Sequence, residues 1–109
     1  MGNWTTVCAV DDIPPNSGRC ALVGTRQVAV FRVRRANQDE FYALDNHDPF
    51  SGANVLSRGI VGTVDDKLVV ASPVYKQHFC LQTGACLEEN IDLTTWAVRV
   101  TGHAVQLAP

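Results

Sequence analysis

Short apolar segments alternate with polar residues along the whole chain, and turn-forming residues separate one segment from the next. The alternation has a period of two, which places successive side chains on opposite faces of a β-strand. Within residues 27–33, for example, the even-numbered positions are Val28, Val30 and the charged Arg32, whereas the odd-numbered positions from 29 onward are all apolar. No apolar repeat with the helical period extends beyond a turn or two. The pattern therefore predicts about eight to ten short strands in an all-β sandwich or small barrel.

The predicted strands follow one another closely, with Gly, Pro, Asn and Asp in the turns between them. They cover residues 4–10, 19–23, 27–33, 41–44, 59–64, 67–71, 78–81, 85–87, 96–100 and 104–107. The polar segment 34–40 is predicted to be a longer hairpin loop, and the acidic segment 88–95 an irregular connector. Segments 78–81 and 85–87 are expected to pair as a short hairpin.

Two Pro-containing loops, at residues 45–59 and 71–84, interrupt the strand pattern and are expected to have similar shapes. They share a frame made of Pro49, Gly52, Leu56, Pro73, Phe79, Leu81, Thr83 and Gly84. This frame resembles the two ligand loops of a Rieske [2Fe–2S] domain. The resemblance implies an all-β, Rieske-like sandwich with an inserted loop sub-domain.

The residues at the four ligand positions differ from those of a Rieske domain. A Rieske cluster is held by two thiolates on one iron and two imidazoles on the other, but this chain has Asp48, Phe50, Ser72 and Tyr75 there. Asp and Ser offer hard oxygen atoms, Phe cannot ligate, and Tyr ligates only as a phenolate, with a reference pKa of about 10. No cofactor or metal is therefore expected on this chain.

The resemblance covers nearly the whole chain, and its most specific motif is Asp48-Pro49-Phe50 in place of Cys-Pro-His. It also rests on Trp4, Val7, Cys8, Gly18 and the segments 20–22, 27–31, 55–59 and 71–73. In these residues the chain is similar to the small subunit of assimilatory NAD(P)H nitrite reductase. The resemblance implies a subunit, not catalytic alone, that supports a large subunit carrying FAD, a [4Fe–4S] cluster and sirohaem in reducing nitrite to ammonium. The alternative is a cluster-less ferredoxin-like binding module that serves another oxidoreductase.

A length of 109 residues predicts one domain. Within it, residues 1–44 and 85–109 are expected to form a base sandwich. Residues 45–84 are expected to form the degenerate cluster-binding sub-domain.

Charge and composition exclude several classes of function. A net charge of −2 and a pI of about 5.8 give no electrostatic basis for binding nucleic acid. No apolar run is long enough to span a bilayer, and no export signal opens the chain, so a cytoplasmic location is expected. The residues from Met1 to Thr6 formally fit an N-myristoylation pattern, interpreted as a chance match. The four cysteines fit no zinc spacing and are interpreted as small buried hydrophobic residues in a reducing compartment.

The candidate partner-binding residues lie at the tip of the two loops. They are Asp48, Phe50, Ser51, Tyr75, Lys76, Gln77 and His78. Phe50 and Tyr75 are expected either to fill the space left by the cluster or to anchor a partner. Lys76, together with Arg58, offers weak steering of an acidic partner.

Two residues of the first loop, His47 and Asp48, carry titratable side chains. Asp48 has the chemistry of a general base, but an Asp in a turn commonly accepts hydrogen bonds from its own loop backbone, and that reading is preferred. His47 beside it is interpreted as an exposed loop histidine and not as part of a proton relay.

Overall fold

The computed structural model describes residues 3–109, so Met1 and Gly2, where the myristoylation pattern begins, lie outside the described residues. Nine β-strands occur in this part of the chain: β1 Thr5–Ala9, β2 Ser17–Val23, β3 Arg26–Arg35, β4 Gln38–Asp45, β5 Ile60–Val64, β6 Lys67–Ala71, β7 His78–Cys80, β8 Thr95–Thr101 and β9 Ala104–Ala108. Two short 3₁₀ turns, Val10–Asp12 and Leu56–Arg58, complete the regular structure. The all-β prediction is confirmed. Neither helical turn within residues 3–109 has the length or apolarity needed to cross a membrane.

The strands form two antiparallel sheets. The larger sheet has the order β1-β9-β8-β4-β3-β2, and the smaller has the order β5-β6-β7. The larger sheet curls until β1 contacts β2, so that it is nearly closed. Its inner face forms one core, made of Ile13, Ala21, Val28, Val30, Ala43, Trp96, Val105 and Leu107.

A second core joins the outer face of the larger sheet to the smaller sheet. It contains Ala29, Phe31, Val33, Leu44, Leu56, Leu68, Val70, Phe79, Leu81 and Leu93. The period-two pattern of β3 explains why one strand serves both cores: its even positions face inward and its odd positions face the smaller sheet. The smaller sheet thereby positions the two Pro-containing loops beside the end of β4.

Arg32 ends the inward-facing row of β3, as the sequence pattern indicated, and it is almost fully buried. Its Nη1 donates to the Ile13 carbonyl at 2.8 Å, and its Nε donates to Asp39 Oδ2 at 2.9 Å. A buried charge requires such partners. Arg32 and Asp39 therefore close one end of the curled sheet without leaving an unpaired ion.

The prediction of a longer loop at 34–40 is wrong. β3 and β4 continue to a two-residue turn, Ala36-Asn37, in which both residues have positive φ angles of 50° and 64°. Such φ angles match the type I′ turn that suits the twist of a hairpin. The polar residues that suggested a loop pair across the strands, because Arg34 contacts Asp39 at 3.0 Å and Arg35 contacts Glu40 at 3.1 Å.

The predicted hairpin of 78–81 with 85–87 is only partly present. Residues 85–87 form no strand of their own, and the pairing is limited to a bridge between Phe79 and Cys86. Gly84 explains the chain path here: its φ is +79°, and a Cβ at this position would lie 2.2 Å from the Leu93 carbonyl oxygen. The segment after β7 thus folds tightly onto itself instead of extending.

The four cysteines are free, and they differ in exposure. Cys80 is buried, Cys8 and Cys86 are half-buried, and Cys20 is exposed. The interpretation of all four as buried hydrophobic residues is therefore wrong for Cys20, which lies on β2 at the edge of the larger sheet.

Candidate functional site

The first of the two loops, here called loop 1 (residues 46–55), is built around Asp48. The Asp48 N–H donates to the Ala53 carbonyl, and the Gly52 N–H donates to the Asp48 carbonyl, both at 2.8 Å. Gly52 has a φ of +76°, a conformation that glycine adopts without steric cost. Asp48 Oδ1 accepts a hydrogen bond from the Phe50 N–H at 2.9 Å. The interpretation that Asp48 bonds to its own loop backbone is confirmed.

The second loop, loop 2 (residues 72–77), repeats this pattern from Ser72. The Ser72 N–H donates to the Gln77 carbonyl at 2.9 Å, and the Lys76 N–H donates to the Ser72 carbonyl at 3.1 Å. Ser72 Oγ accepts from the Val74 N–H at 3.3 Å. Lys76 takes the place that glycine occupies in loop 1, with a φ of 68°. One backbone motif is therefore used twice.

A hydrogen bond between the two equivalent residues joins the loops. Ser72 Oγ donates to Asp48 Oδ2 at 2.5 Å, and both residues have no exposed surface. Burial raises the pKa of the Asp48 carboxyl, but the Ser72 hydroxyl and the N–H groups of Phe50 and Ser51 outweigh burial and lower the pKa below its usual value. The buried carboxylate is thus held ionised by donors from both loops.

These residues do not fit a [2Fe–2S] cluster. In a Rieske site the two thiolates bind one iron, which lies between them, whereas the side-chain oxygens of Asp48 and Ser72 are in direct contact. Within residues 3–109, no group of three or more His, Cys, Asp or Glu side chains is arranged to hold a metal ion. The space between the loops is closed by a hydrogen bond and an aromatic ring.

Phe50 and Tyr75, at the two positions where a Rieske domain has its ligating histidines, have different environments. Phe50 is half-buried and packs on Phe79, with ring centroids 6.1 Å apart at a tilt of 38°. It therefore fills space between the loops and the core. Tyr75, in contrast, is 60% exposed, and the neighbouring Val74 is also exposed. An exposed tyrosine beside an exposed valine is a surface feature, not a core filler.

The remaining candidate residues lie around this pair with unequal access to solvent. Lys76 is exposed, Ser51 and Gln77 are half-buried, and the Asp48 side chain does not reach the surface at all. His47 is exposed, as interpreted from the sequence, and its Nδ1 lies 3.1 Å from Asn54 Oδ1.

His78 is tied to a residue that the sequence pattern placed in a solvated connector. Its Nδ1 lies 2.6 Å from Glu88 Oε2, and its backbone N–H donates to Glu88 Oε1 at 2.8 Å. Burial raises the pKa of Glu88, but the hydrogen bonds from His78 outweigh burial and lower it. Glu88 therefore joins the start of β7, next to loop 2, to the segment that follows β7, while its side chain stays exposed as predicted.

Asn46 is a structural residue that the sequence did not single out. It is almost fully buried, its Nδ2 donates to the Asn54 carbonyl at 3.1 Å, and its Oδ1 accepts from the Ser57 N–H at 2.7 Å. It thereby holds both ends of loop 1. The available signal was an Asn directly after an apolar strand, where its side chain can satisfy loop backbone groups.

The protein is expected to be colourless after purification, with no stoichiometric iron or acid-labile sulfide. The reason is the contact between Asp48 and Ser72, which leaves no ligand pair open to iron. Iron assay and low-temperature resonance spectroscopy of the reduced protein provide the measurement. About two irons per chain would contradict the fit of these side chains.

The paired loops on a nearly closed β-sheet define a class of protein, the Rieske-like domain. The corresponding family model, described as a Rieske-like [2Fe-2S] domain, matches residues 3–108, so the chain belongs to this family. It is 43% identical over 108 residues, 98% of each chain, to the nitrite reductase (NADH) small subunit of Escherichia coli (strain K12). The resemblance inferred from the sequence is confirmed.

Two further relatives extend the comparison. The NMR structure of the Escherichia coli protein NirD matches with a TM-score of 0.91 and 41% identity, covering all of this chain and 98% of that one. The nitrite reductase [NAD(P)H] large subunit of Klebsiella oxytoca is 42% identical over 103 residues, which are 94% of this chain and 10% of that protein. In that relative, a segment similar to this chain is thus part of the large-subunit polypeptide.

Proposed function

We propose that this chain is the small subunit of an NAD(P)H-dependent nitrite reductase, which reduces nitrite to ammonium. The observation that carries the proposal is the 43% identity to a nitrite reductase small subunit over 98% of both chains. The large subunit would carry FAD, a [4Fe–4S] cluster and sirohaem, and this chain would bind none of them. Its contribution to the oxidoreductase is that of a partner and not of a catalyst. The free cysteines, one of them exposed, suit a reducing compartment such as the cytoplasm.

The loop tip is the proposed contact with the large subunit. Loops 1 and 2 keep a repeated backbone motif and a buried hydrogen bond from the Ser72 hydroxyl to the Asp48 carboxylate, although the cluster ligands are absent. Residues 45–84 are proposed to act as a recognition sub-domain on the base sandwich of 1–44 and 85–109. Among the candidate residues of the loop tip, Tyr75 and Lys76 are exposed, and Phe50, Ser51, Gln77 and His78 beside them are half-buried. Asp48 is buried and would contribute indirectly, by fixing the geometry of the two loops.

The Klebsiella relative supports a ratio of one small subunit to each large subunit. A segment similar to this chain lies within that large-subunit polypeptide, over 10% of its length. Joining in one polypeptide imposes equal numbers and lets the two parts meet at a high effective concentration. We propose that the separate chain binds in the same proportion.

Tyr75→Ala is expected to weaken the complex with the large subunit by about thirty-fold, because truncating a buried aromatic anchor typically costs about 2 kcal/mol or more. Lys76→Glu is expected to weaken it through charge reversal. Affinity is measured by calorimetry or by immobilising the large subunit, and the thermal transition of each variant shows that the fold is intact.

Gln38→Ala is the matched control, since Gln38 is exposed at the distant β3–β4 turn and its truncation should not change affinity. Wild-type affinity in both tip variants would exclude the loop tip as the contact. Failure of the wild-type chain itself to bind or co-purify with the large subunit would refute the proposed function.

A further inference from the structure

Three neighbouring strands of the larger sheet, β8, β9 and β1, present an outward face of uncharged side chains around one arginine. Val105 and Leu107 of β9 point into the inner core, so the residues that alternate with them, and those paired with these residues, point outward. The outward residues are Thr6, Ala9, Ala97, Arg99, Thr101, Ala104, Gln106 and Ala108. Protein surfaces are usually rich in charge, whereas the centre of a protein interface is depleted of it.

Trp4 and Arg99 lie together on this face, which is here called the terminal face (the outward residues of β8, β9 and β1 together with Trp4). The guanidinium carbon of Arg99 lies 4.3 Å from the centroid of the Trp4 ring, within the range of a cation–π contact. Arg99 Nε donates to Gln106 Oε1 at 2.7 Å, and Gln106 Nε2 donates to Thr6 Oγ1 at 2.9 Å. Stacking and hydrogen bonds thus hold an exposed arginine in a fixed orientation.

Arg99 has no acidic partner in the described part of the chain. Among residues 3–109, no carboxylate, whether of a side chain or of the C-terminus, lies within ion-pair distance of it. Its hydrogen bond to Gln106 uses Nε, so the donors on both Nη atoms face a possible ligand. Two Nη groups in one plane match the two oxygens of a carboxylate. Tryptophan and arginine are also the residues that most often dominate the energy of a protein interface.

The two ends of the chain leave the larger sheet side by side at this face. Thr5, at the start of β1, pairs with Leu107, and Ala108, at the end of β9, pairs with Ala97. In the Klebsiella oxytoca relative, the similar segment covers 94% of this chain, and the rest of the large-subunit polypeptide lies outside it. That polypeptide therefore continues from a point at or close to one of the two ends. Because the ends are neighbours, it leaves the domain beside Trp4 whichever end is joined.

We propose that the terminal face is a second contact with the nitrite reductase large subunit, in which a carboxylate of that subunit pairs with the Nη groups of Arg99 where it is stacked on Trp4. The inference rests on the proposed function, but its support is the position of the chain ends and does not depend on the loop tip. A second copy of this chain is a poorer occupant. A symmetric pair would bring the same face against itself, placing two Arg99 side chains together with no carboxylate between them.

Hydroxyl-radical footprinting with mass spectrometry, with and without the large subunit, tests the contact in the unmodified chain. Trp4 is half-buried in the free chain. In the complex its oxidation should fall at least about threefold, because the centre of an interface excludes water. Ile91, which is 39% exposed in the segment beside β7 and lies outside both proposed contacts, should keep its rate of oxidation and serves as the internal control.

Arg99→Met supplies an independent test. The variant removes the charge but keeps an unbranched apolar side chain over the Trp4 ring. Its affinity for the large subunit should fall at least about tenfold, because the carboxylate of the partner is left without a cation. Lys67→Met is the matched control, since it removes one exposed positive charge at the β5–β6 turn and should bind as wild type. Thermal transitions show whether both variants are folded.

The outcomes are distinguishable. Unchanged oxidation of Trp4 in a complex that forms, or wild-type affinity of Arg99→Met, would overturn the inference while leaving the proposed function intact. An equal loss in Lys67→Met would indicate a general effect of charge and would contradict the pair. Concentration-dependent protection of Trp4 in the isolated chain would assign the face to a second copy and would equally overturn the inference.

Two further results are decided by the unmodified chain. If Arg99→Met fails to fold, the footprint of Trp4 decides between contact and no contact. Absence of any complex with the wild-type chain would remove the proposed function and this inference together.

Discussion

Phe79→Ala is expected to lower the free energy of unfolding by about 3–5 kcal/mol, the usual range for removing a fully buried aromatic ring. Phe79 has no exposed surface, and it lies in the core between the two sheets, with the Phe50 ring against it. Its removal would leave a cavity below loop 1 that this tightly bonded loop cannot collapse to fill. Chemical denaturation, with an unchanged slope, measures the loss.

Phe41→Ala is the control for this prediction. The same atoms are deleted there, but Phe41 is only half-buried, beside the core inside the curled sheet. Its loss should be less than half as large, because less apolar surface returns to water. A loss below about 1.5 kcal/mol at Phe79 would show that the ring does not support both layers.

Local patterns were sufficient to predict much of the fold. The period-two alternation placed β3 correctly, with Arg32 on the inward face. Both faces of β3 pack against a core, so the alternating positions of the sequence correspond to the two cores. The turn at Asp65-Asp66 was predicted as well. The β3–β4 turn was not, because its polar residues stabilise each other across the strands, and a sequence alone does not distinguish that arrangement from a loop.

The loop motif shows where sequence reasoning stops. The Asp and Ser at the former ligand positions were recognised, but not their direct hydrogen bond, since residues 48 and 72 are brought together only by the packing of the smaller sheet. Nor does the sequence reveal that Lys76 adopts the backbone conformation of Gly52. Lysine has no preference for positive φ, so the loop hydrogen bonds must impose it.

The contact between His78 and Glu88 was missed for a similar reason. The acidic residues near Glu88 match the composition of a solvated connector, and only the tight turn at Gly84 returns the chain to loop 2. Charge composition describes a segment on average. It does not identify the one carboxylate that finds a partner.

Asp48→Ala is expected to destabilise the domain by about 2–5 kcal/mol, because it leaves two buried donors, the Ser72 hydroxyl and the Phe50 N–H, without an acceptor. Asp48→Asn keeps the shape and one acceptor, so a smaller loss of about 1–2 kcal/mol is expected at neutral pH. The double variant Asp48→Ala/Ser72→Ala should lose less stability than the sum of the two single variants, since it removes one of the two donors left without an acceptor. Strict additivity would mean that the bond between the loops contributes nothing.

Because Asp48 is charged, the difference in stability between wild type and Asp48→Asn is expected to depend on pH. The pKa of Asp48 is lowered in the folded state, below the unfolded value of about 3.9. Its stabilising contribution is therefore complete above that unfolded value and is lost as the pH falls through the folded pKa. The other carboxylates with lowered pKa values, such as Asp39 and Glu88, are common to both proteins and cancel. The difference in unfolding free energy between wild type and Asp48→Asn should thus be constant near neutrality and shrink in acid below about pH 4. A difference that grows as the pH falls would show that the buried Asp48 carboxyl is protonated in the folded protein, and a constant difference would show that its pKa is the same in the folded and unfolded states.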